Sequence, residues 1–310
     1  MVSSLAVLLS TYNGERFLAE QLDSLLRQTR QDFIVVARDD GSSDGSRRLL
    51  EEYADRHPNR FHLLPKAQAN IGACASFALL MQTALDRSAE LGLESAYLMF
   101  CDQDDIWLED KIERQMKLMG ETEAGDSSLP VLVHSDLEVV SFENRHIAPS
   151  FARYQGLDVA RNRFIEMAIS NLVTGCTVLI NESLARRALP ISNEAIMHDW
   201  WLALTASAFG KVAYMEEPTI RYRQHDANTI GARQHTTARL TRWSHWSRLI
   251  AGAANPHLLE VGHQASAFLH RYRDDLCDSR RRGLQLCSLL RVRVGLFQRV
   301  VYRIARSRSG

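Results

Sequence analysis

Three carboxylates crowd into four residues at Asp102, Gln103, Asp104 and Asp105, directly after the apolar run 97–101. Carboxylates this close repel one another unless a cation or bound basic groups offset them. Asp102 and Asp104, one residue apart, project to the same side of an extended segment. They can share one divalent ion together with phosphate groups bound to it. Mg²⁺ and Mn²⁺ suit such a site, because both take one or two carboxylates plus phosphate oxygens and water. A D-x-D occurs by chance in many surface loops; its place at the end of a buried-strand pattern is what singles this one out.

Two more polar clusters follow apolar runs. Thr11, Tyr12, Asn13, Gly14 and Glu15 come after the run 5–10, and D-D-G-S-S-D-G (39–45) comes after the run 33–37. Either cluster reads as a turn opening a helix, for which Asp, Ser and Gly are suited. The functional alternative is a nucleotide pocket, with one carboxylate accepting the N3–H of a pyrimidine and Thr11 and Glu15 lining the base. Farther on, His198-Asp199 opens a helix rich in Trp, Leu and Ala. The helix N-terminus and a charged His198 would hold Asp199 ionised. That suits a general base that removes the proton of an attacking hydroxyl, where a plain N-cap is the other reading. His225, in the polar loop 223–228, can reach a metal or simply hydrogen-bond a neighbour. Trp107, Trp200 and Trp201 offer faces for sugars, although core packing is the commoner use of such residues.

These groups need elements to position them. An apolar run such as 97–101 reads as a strand buried in a parallel sheet. Strands at 5–10, 33–37, 61–64 and 97–101 alternate with helical spacing at 15–28, 46–56 and 73–89. That alternation predicts a doubly wound, mostly parallel sheet. Its ligands bind beyond the carboxyl ends of the strands, where all three clusters lie. Beyond them the pattern predicts a helix at 110–119, a strand at 131–140, and an irregular stretch at 142–158 that can fold over the site. A helix at 161–169, a strand at 173–180 and helices at 182–189 and 198–210 follow, then short strands at 211–215 and 219–222. The composition changes near residue 232, which predicts a catalytic body 1–232 and a helical extension 233–310.

The 310 residues are 45% hydrophobic and 24% charged, enough to bury a sizeable core. Five cysteines without C-x-x-C spacing favour reduced thiols in the cytoplasm over a disulfide frame or zinc. The short apolar run 5–9 predicts no secretory leader, and no apolar window of about 18 residues is seen, so the expectation is a protein that does not span a bilayer. A net charge of zero hides an asymmetry. Residues 233–310 carry 15 Arg, no Lys and four acidic residues, a net +11 against −11 for the preceding 232. Helical patterns at 240–250, 258–276 and 284–304 bring apolar residues beside this charge. Trp243, Trp246, Leu249 and Ile250 lie among Arg239, Arg242 and Arg248; Leu289, Val292, Leu296, Val300 and Ile304 lie among Arg291, Arg293, Arg299 and Arg303. Residues 239–304 therefore suit peripheral attachment to an anionic membrane surface. The alternative is packing on the catalytic body or a dimer partner. Nucleic-acid binding is the weakest reading of the tail, and the oligomeric state is left open.

In order, S-T-Y-N-G-E, D-D-G-S-S-D-G, N-I-G, C-D-Q-D-D-I-W-L-E-D-K-I, T-G-C, H-D-W-W and Y-R-Q-H-D-A-N resemble family-2 glycosyltransferases of the GT-A fold, over residues 5–231. The D-Q-D-D-I-W, H-D-W-W and Y-R-Q-H blocks are similar to the bacterial rhamnosyltransferase-type branch of surface polysaccharide and O-antigen assembly. The resemblance implies an α/β, Rossmann-like sheet flanked by helices. It implies a dTDP-, UDP- or GDP-linked sugar donor, Mn²⁺ or Mg²⁺, and a glycan or lipid-linked glycan acceptor met in the cytoplasm or at the cytoplasmic face of the inner membrane. By position, Asp40 would bind the base beside Thr11, Tyr12, Asn13 and Glu15, with Asn70 and Gly72 in the same nucleotide site. Asp102 would lie near the ribose with Gln103. Asp104 would ligate the metal, with Asp102 and His225 as further ligands. Asp199 would be the general base of an inverting transfer. The family's usual Glu-Asp pair is His198-Asp199 here, which leaves His198 to assist catalysis by binding acceptor or pyrophosphate. Gly175 falls on the acceptor side with the three tryptophans. Two rivals stand: a non-catalytic nucleotide-sugar or polysaccharide-binding protein, and a nucleotidyltransferase. Asp104 together with Asp199 speaks against the first. The second wants a Gly-rich, Lys-bearing loop after the first strand, which residues 11–14 do not supply.

Overall fold

A computed structural model describes residues 3–225 and 254–307. The helix expected at 240–250 with Trp243 and Trp246, the boundary near 232 and the end of the 223–228 loop lie outside these residues. Strand β1 (Ser3–Thr11) is central. Leu5, Val7 and Leu9 enter one hydrophobic cluster while Ala6 and Leu8 enter another, so the two-residue period feeds cores on both faces. Helix α1 (Glu15–Leu26), strand β2 (Phe33–Asp39), helix α2 (Ser46–Arg56), strand β3 (Phe61–Leu63), helix α3 (Ala73–Asp86) and strand β4 (Leu93–Cys101) follow. The parallel order β3-β2-β1-β4 sets Thr11 opposite Asp39 and Leu9 opposite Cys101. That register brings the three polar clusters to one edge.

The second half of the sheet is mixed. Strand β5 (Ile106–Trp107), helix α4 (Lys111–Glu123), strand β6 (Val131–Val140), strand β7 (His146–Ala148), and helices α5 (Phe151–Gln155) and α6 (Phe164–Ile169) come next. Strand β8 (Leu179–Ile180), helices α7 (Glu182–Ala188) and α8 (His198–Phe209), and strand β9 (Lys211–Arg223) complete the body. The nine-stranded sheet continues from β4 through β8, β6, β9 and β5, with β7 on β6. β8 runs antiparallel to β4 and β6, and β9 runs parallel to β6.

Three stretches differ from their sequence patterns. The stretch 142–158 is irregular only in part, since it holds β7 and α5. In 173–180, a 3-10 turn at Gly175–Thr177 leaves Leu179 and Ile180 to pair. The two short strands after residue 210 are one strand, β9. Its ladder slips between Met215 and Pro218, the place where proline has no N–H to give. β5, too short to show periodicity, pairs Ile106 and Trp107 with β9 and so closes the carboxylate loop at its far end.

The C-terminal helices are α9 (Pro256–Tyr272), α10 (Asp278–Ser288) and, after a 3-10 turn at Leu289–Arg291, α11 (Gly295–Ser307). The pattern 284–304 is thus broken in two. Val261, Phe268, Tyr272, Leu284, Cys287 and Val301 share one core with Trp201 and Phe164 of the body. Gly262 allows the close crossing, since a Cβ there would stand 2.3 Å from the Arg291 backbone nitrogen. No described helix is long and apolar enough to cross a membrane.

Candidate active site

β4 delivers the carboxylates and β9 brings their counter-groups. Asp104 Oδ2 lies 2.8 Å from His225 Nε2 with both side chains largely buried, and the imidazole stacks on Phe17 at 4.9 Å. Arg223, buried two residues before His225, clamps the loop. Its Nε donates to the Asp104 carbonyl (3.0 Å), Nη1 to the Phe142 carbonyl (2.9 Å), and Nη2 pairs with Glu20 (2.5 Å). Arg223 thus fixes the loop through its backbone, its charge being paired with Glu20; its sequence context gave no reason to choose it beyond its place in Y-R-Q-H.

Asp105, which had no role in the sequence pattern, turns into the protein. Its Oδ1 accepts the Arg223 N–H at 3.3 Å, and its Oδ2 is buried without a partner among the described residues. Donor atoms of Asp102, Asp105 and Cys176 lie within 4.8 Å of one another. Burial, then Asp104 and Asp102, pushes Asp105 well above the usual carboxylate range. Burial, then Asp104 and Asp199, raises Asp102 to about 7. A bound divalent cation would reverse that shift by favouring the charged form. Beneath the loop Lys111 is fully buried and brought down to about 7 by that burial; its Nζ donates to Gln115 Oε1 at 2.5 Å.

The β1 and β2 loops interlock. Gln103 Oε1 accepts from Thr11 Oγ1 (2.6 Å) and the Tyr12 N–H (2.7 Å), which staples the carboxylate loop to β1. Asp40 is 2% exposed and saturated: Arg38 Nη2 pairs with it at 2.7 Å, and the Ile71 and Gly72 N–H groups donate at 3.1 and 3.0 Å. Asp40 thus fixes the N-I-G turn, where Asn70 Oδ1 also accepts the Gly72 N–H. Gly41, at φ +84°, lets that turn approach: a Cβ would meet the Ala69 and Asn70 backbone at 3.2 Å. Arg38 was legible in principle, since residues two apart on a strand share a face.

The third component comes from α8. Asp199 is 6% exposed, and its Oδ1 accepts the Trp200 N–H at 2.5 Å and Asn171 Nδ2 at 3.2 Å. Burial raises it to about 7 against these hydrogen bonds. The expectation that the helix end and a charged His198 keep it low fails, because His198 is itself buried, and burial lowers that imidazole to about 3. Neither ring nitrogen of His198 has a partner among the described residues, and the ring packs on Phe77 (4.3 Å) and Phe100 (5.0 Å). A Cβ on Gly175 would stand 3.1 Å from His198 Nε2 and 3.4 Å from Asp199 Oδ2.

One cavity of about 1000 Å³ joins these groups. Tyr12, Asp40, Asn70, Asp102, Gln103, Asp104, Gly175, His198 and Asp199 all line it. Other predicted residues stand elsewhere. Thr11 is 1% exposed and lies behind Gln103. Asn13 and Glu15 are spent on the facing loop, where Asn13 Oδ1 accepts the Ser43 N–H (2.8 Å) and Glu15 Oε2 the Gly45 N–H (2.9 Å). Gly72 gives its N–H to Asp40. The sugar-stacking role of the tryptophans is corrected. Trp107, Trp200 and Trp201 are buried, and the indoles of the latter two donate to the Met167 and Ala188 carbonyls (2.6 and 3.1 Å). Asn171, which carries no sequence signal, orients Asp199.

Comparison with known proteins agrees with this arrangement. The family model for glycosyl transferase family 2 matches residues 6–186. The dTDP-rhamnosyl transferase RfbG of Shigella flexneri is 29% identical, over 72% of this chain and 74% of that protein. The putative teichuronic acid biosynthesis glycosyltransferase TuaG of Bacillus subtilis (strain 168) is 25% identical, over 76% and 84%. Other relatives are spanned over only 65% and 57% of their length. Among solved structures, S. aureus TarS 1–349 in complex with UDP-GlcNAc superposes with a TM-score of 0.57 at 14% identity, over 92% of this chain and 71% of that one. The mannosyltransferase PcManGT from Pyrobaculum calidifontis, in complex with GDP-Man and Mn²⁺, gives 0.50 at 14%, over 99% and 86%. These likenesses show a shared glycosyltransferase fold, the GT-A architecture that the motif order implied.

Proposed function

The chain belongs to glycosyl transferase family 2, and from that premise we propose an inverting, divalent-metal-dependent transfer of a sugar from a nucleoside diphosphate to a hydroxyl of a glycan or lipid-linked glycan in surface polysaccharide assembly. The acceptor would be met at the cytoplasmic face of the inner membrane. The kinship with a dTDP-rhamnosyl transferase makes dTDP-rhamnose the first donor to test. We take residues 1–232 as the catalytic unit and 233–310 as an extension, of which the described part, 254–307, shares its core.

The observation that carries this reading is that two carboxylates with different surroundings line one cavity. Asp104 has an imidazole partner, whereas Asp199 accepts from neutral donors. Asp104 and His225 would supply an oxygen and a nitrogen ligand, a pair that suits Mn²⁺ better than Mg²⁺, while Asp102 lines the same cavity but groups with Asp105 and Cys176. An ion bound there would neutralise the departing diphosphate. Asp199 takes the proton of the acceptor hydroxyl as that oxygen attacks the anomeric carbon. The bond from that carbon to the diphosphate oxygen breaks, and its electron pair leaves with the nucleotide. One displacement inverts the centre and requires no protein nucleophile. His198, neutral at any working pH, supplies a hydrogen bond to a sugar hydroxyl and not a charge for the diphosphate.

The test is thermal stabilisation by dTDP-, UDP- and GDP-sugars with and without Mn²⁺, since a ligand of the folded state raises stability by mass action. NMR of the product then reads its anomeric configuration. Stabilisation that ignores Mn²⁺ refutes the metal assignment, and a retained configuration refutes the role of Asp199.

A further inference from the structure

The C-terminal helices present two unlike surfaces. α9 and α10 spend their apolar faces in the core. α11 turns Gly295, Gln298, Val301 and Ala305 inward, and Gln298 Nε2 donates to the Leu290 carbonyl at 2.7 Å. Its outer side is apolar as well. Leu296 is 62% exposed, with Val300 and Ile304 following at four-residue spacing; Leu289, Val292, Val294 and Phe297 extend the strip. These seven account for most of the large hydrophobic side chains left exposed among the described residues. Residues 279–310 carry nine Arg and no Asp, Glu or Lys.

We propose that this strip, the turn at Leu289–Arg291 with α11, docks on the surface of an anionic lipid bilayer. α9 and α10 are not needed for it, because their apolar faces are already covered. The helix would lie in the interface with its apolar side among acyl chains and the stems of Arg293 and Arg303 reaching up to the phosphates. Charge selects this occupant over two others. A second copy of the chain would set Arg against Arg. Residues 226–253 carry four Arg against one Asp, so they are repelled by the same face. α11 packs on α6, and α6 runs into residues 171–175, which line the cavity. Docking would therefore hold that wall of the cavity near the lipid surface, where a lipid-linked acceptor is found. Only this last step rests on the proposed reaction.

The test is flotation of the full chain with phosphatidylcholine vesicles, with and without phosphatidylglycerol, at low and high salt. Flotation is expected with the anionic vesicles and is expected to weaken as salt rises. The double variant Leu296→Asp/Val300→Asp should stay at the bottom of the gradient. Arg293→Gln/Arg303→Gln should lose affinity about 25-fold, about fivefold per arginine. All four positions lie on exposed turns, and unchanged melting curves and unchanged turnover on a water-soluble acceptor should accompany both variants. The proposal is overturned if the wild type fails to float or if the apolar variant floats equally. A fall in sedimentation mass with unchanged flotation would assign the strip to a second copy. Parallel loss of turnover on the soluble acceptor would assign it to the catalytic fold.

Discussion

Replacing Asp199 by Asn should make the protein more stable and nearly inactive, with the gain in stability growing as pH rises. The folded protein holds the Asp199 proton to about 7, against an ordinary value of 3.8. At about 1.4 kcal/mol per pH unit, ionising it in place costs about 4 kcal/mol. The folded pKa is the raised one, so the folded state binds more protons between the two values. Stability is lost as pH rises from about 4 to about 7. The Asn variant has no proton to lose there, and its oxygen can still accept from the Trp200 N–H and Asn171. Its stability relative to wild type should grow from below about 1 kcal/mol near pH 4 to about 4 kcal/mol at pH 8, an upper bound because the Gly175 N–H, which also donates to Asp199, loses a charged acceptor. With a slope of about 2–3 kcal/mol per molar urea, the unfolding midpoint at pH 8 would rise by about 1–2 M. Transfer should fall by about 10²- to 10⁴-fold, the usual worth of a general base. In the wild type kcat/KM should rise with pH through about 7 as Asp199 ionises. Equal urea midpoints at pH 5 and pH 8 relative to wild type would refute the burial reasoning, and retained turnover would refute the base.

Asp104→Ala and His225→Ala should each abolish the Mn²⁺ dependence of nucleoside diphosphate binding while leaving the fold intact; calorimetry with and without the ion reads this. Gly175→Ala would place a methyl 3.1 Å from His198 and 3.4 Å from Asp199. We expect lower turnover with donor affinity nearly unchanged, and a melting shift consistent with about 1–3 kcal/mol of overpacking. Arg223→Ala leaves Glu20 and the Asp104 and Phe142 carbonyls without their donor. Loss of about 1–3 kcal/mol in chemical denaturation, together with weaker Mn²⁺ binding, is expected. A loss in stability with intact Mn²⁺ binding would show that the clamp does not shape the metal site.

What the sequence determined by itself was local. The apolar runs at 5–10 and 33–37 become β1 and β2 because β-branched and leucine-rich segments of that length bury both faces of a sheet. The polar residues that end them fall at one edge because parallel strands share a direction. Which of those polar residues face the cavity was a tertiary decision. Thr11, Asn13 and Glu15 are drawn into contacts with loops 29 to 92 residues away, and such partners leave no periodic trace. Burial likewise decided the chemistry of His198-Asp199. A helix N-terminus alone would lower a carboxyl, but desolvation by the packed body outweighs it and raises the group to about 7. Asp105 shows the same division. Its charge was visible in the chain, but only the packing of β9, Cys176 and Arg223 around it shows that it faces inward while Asp104 lines the cavity.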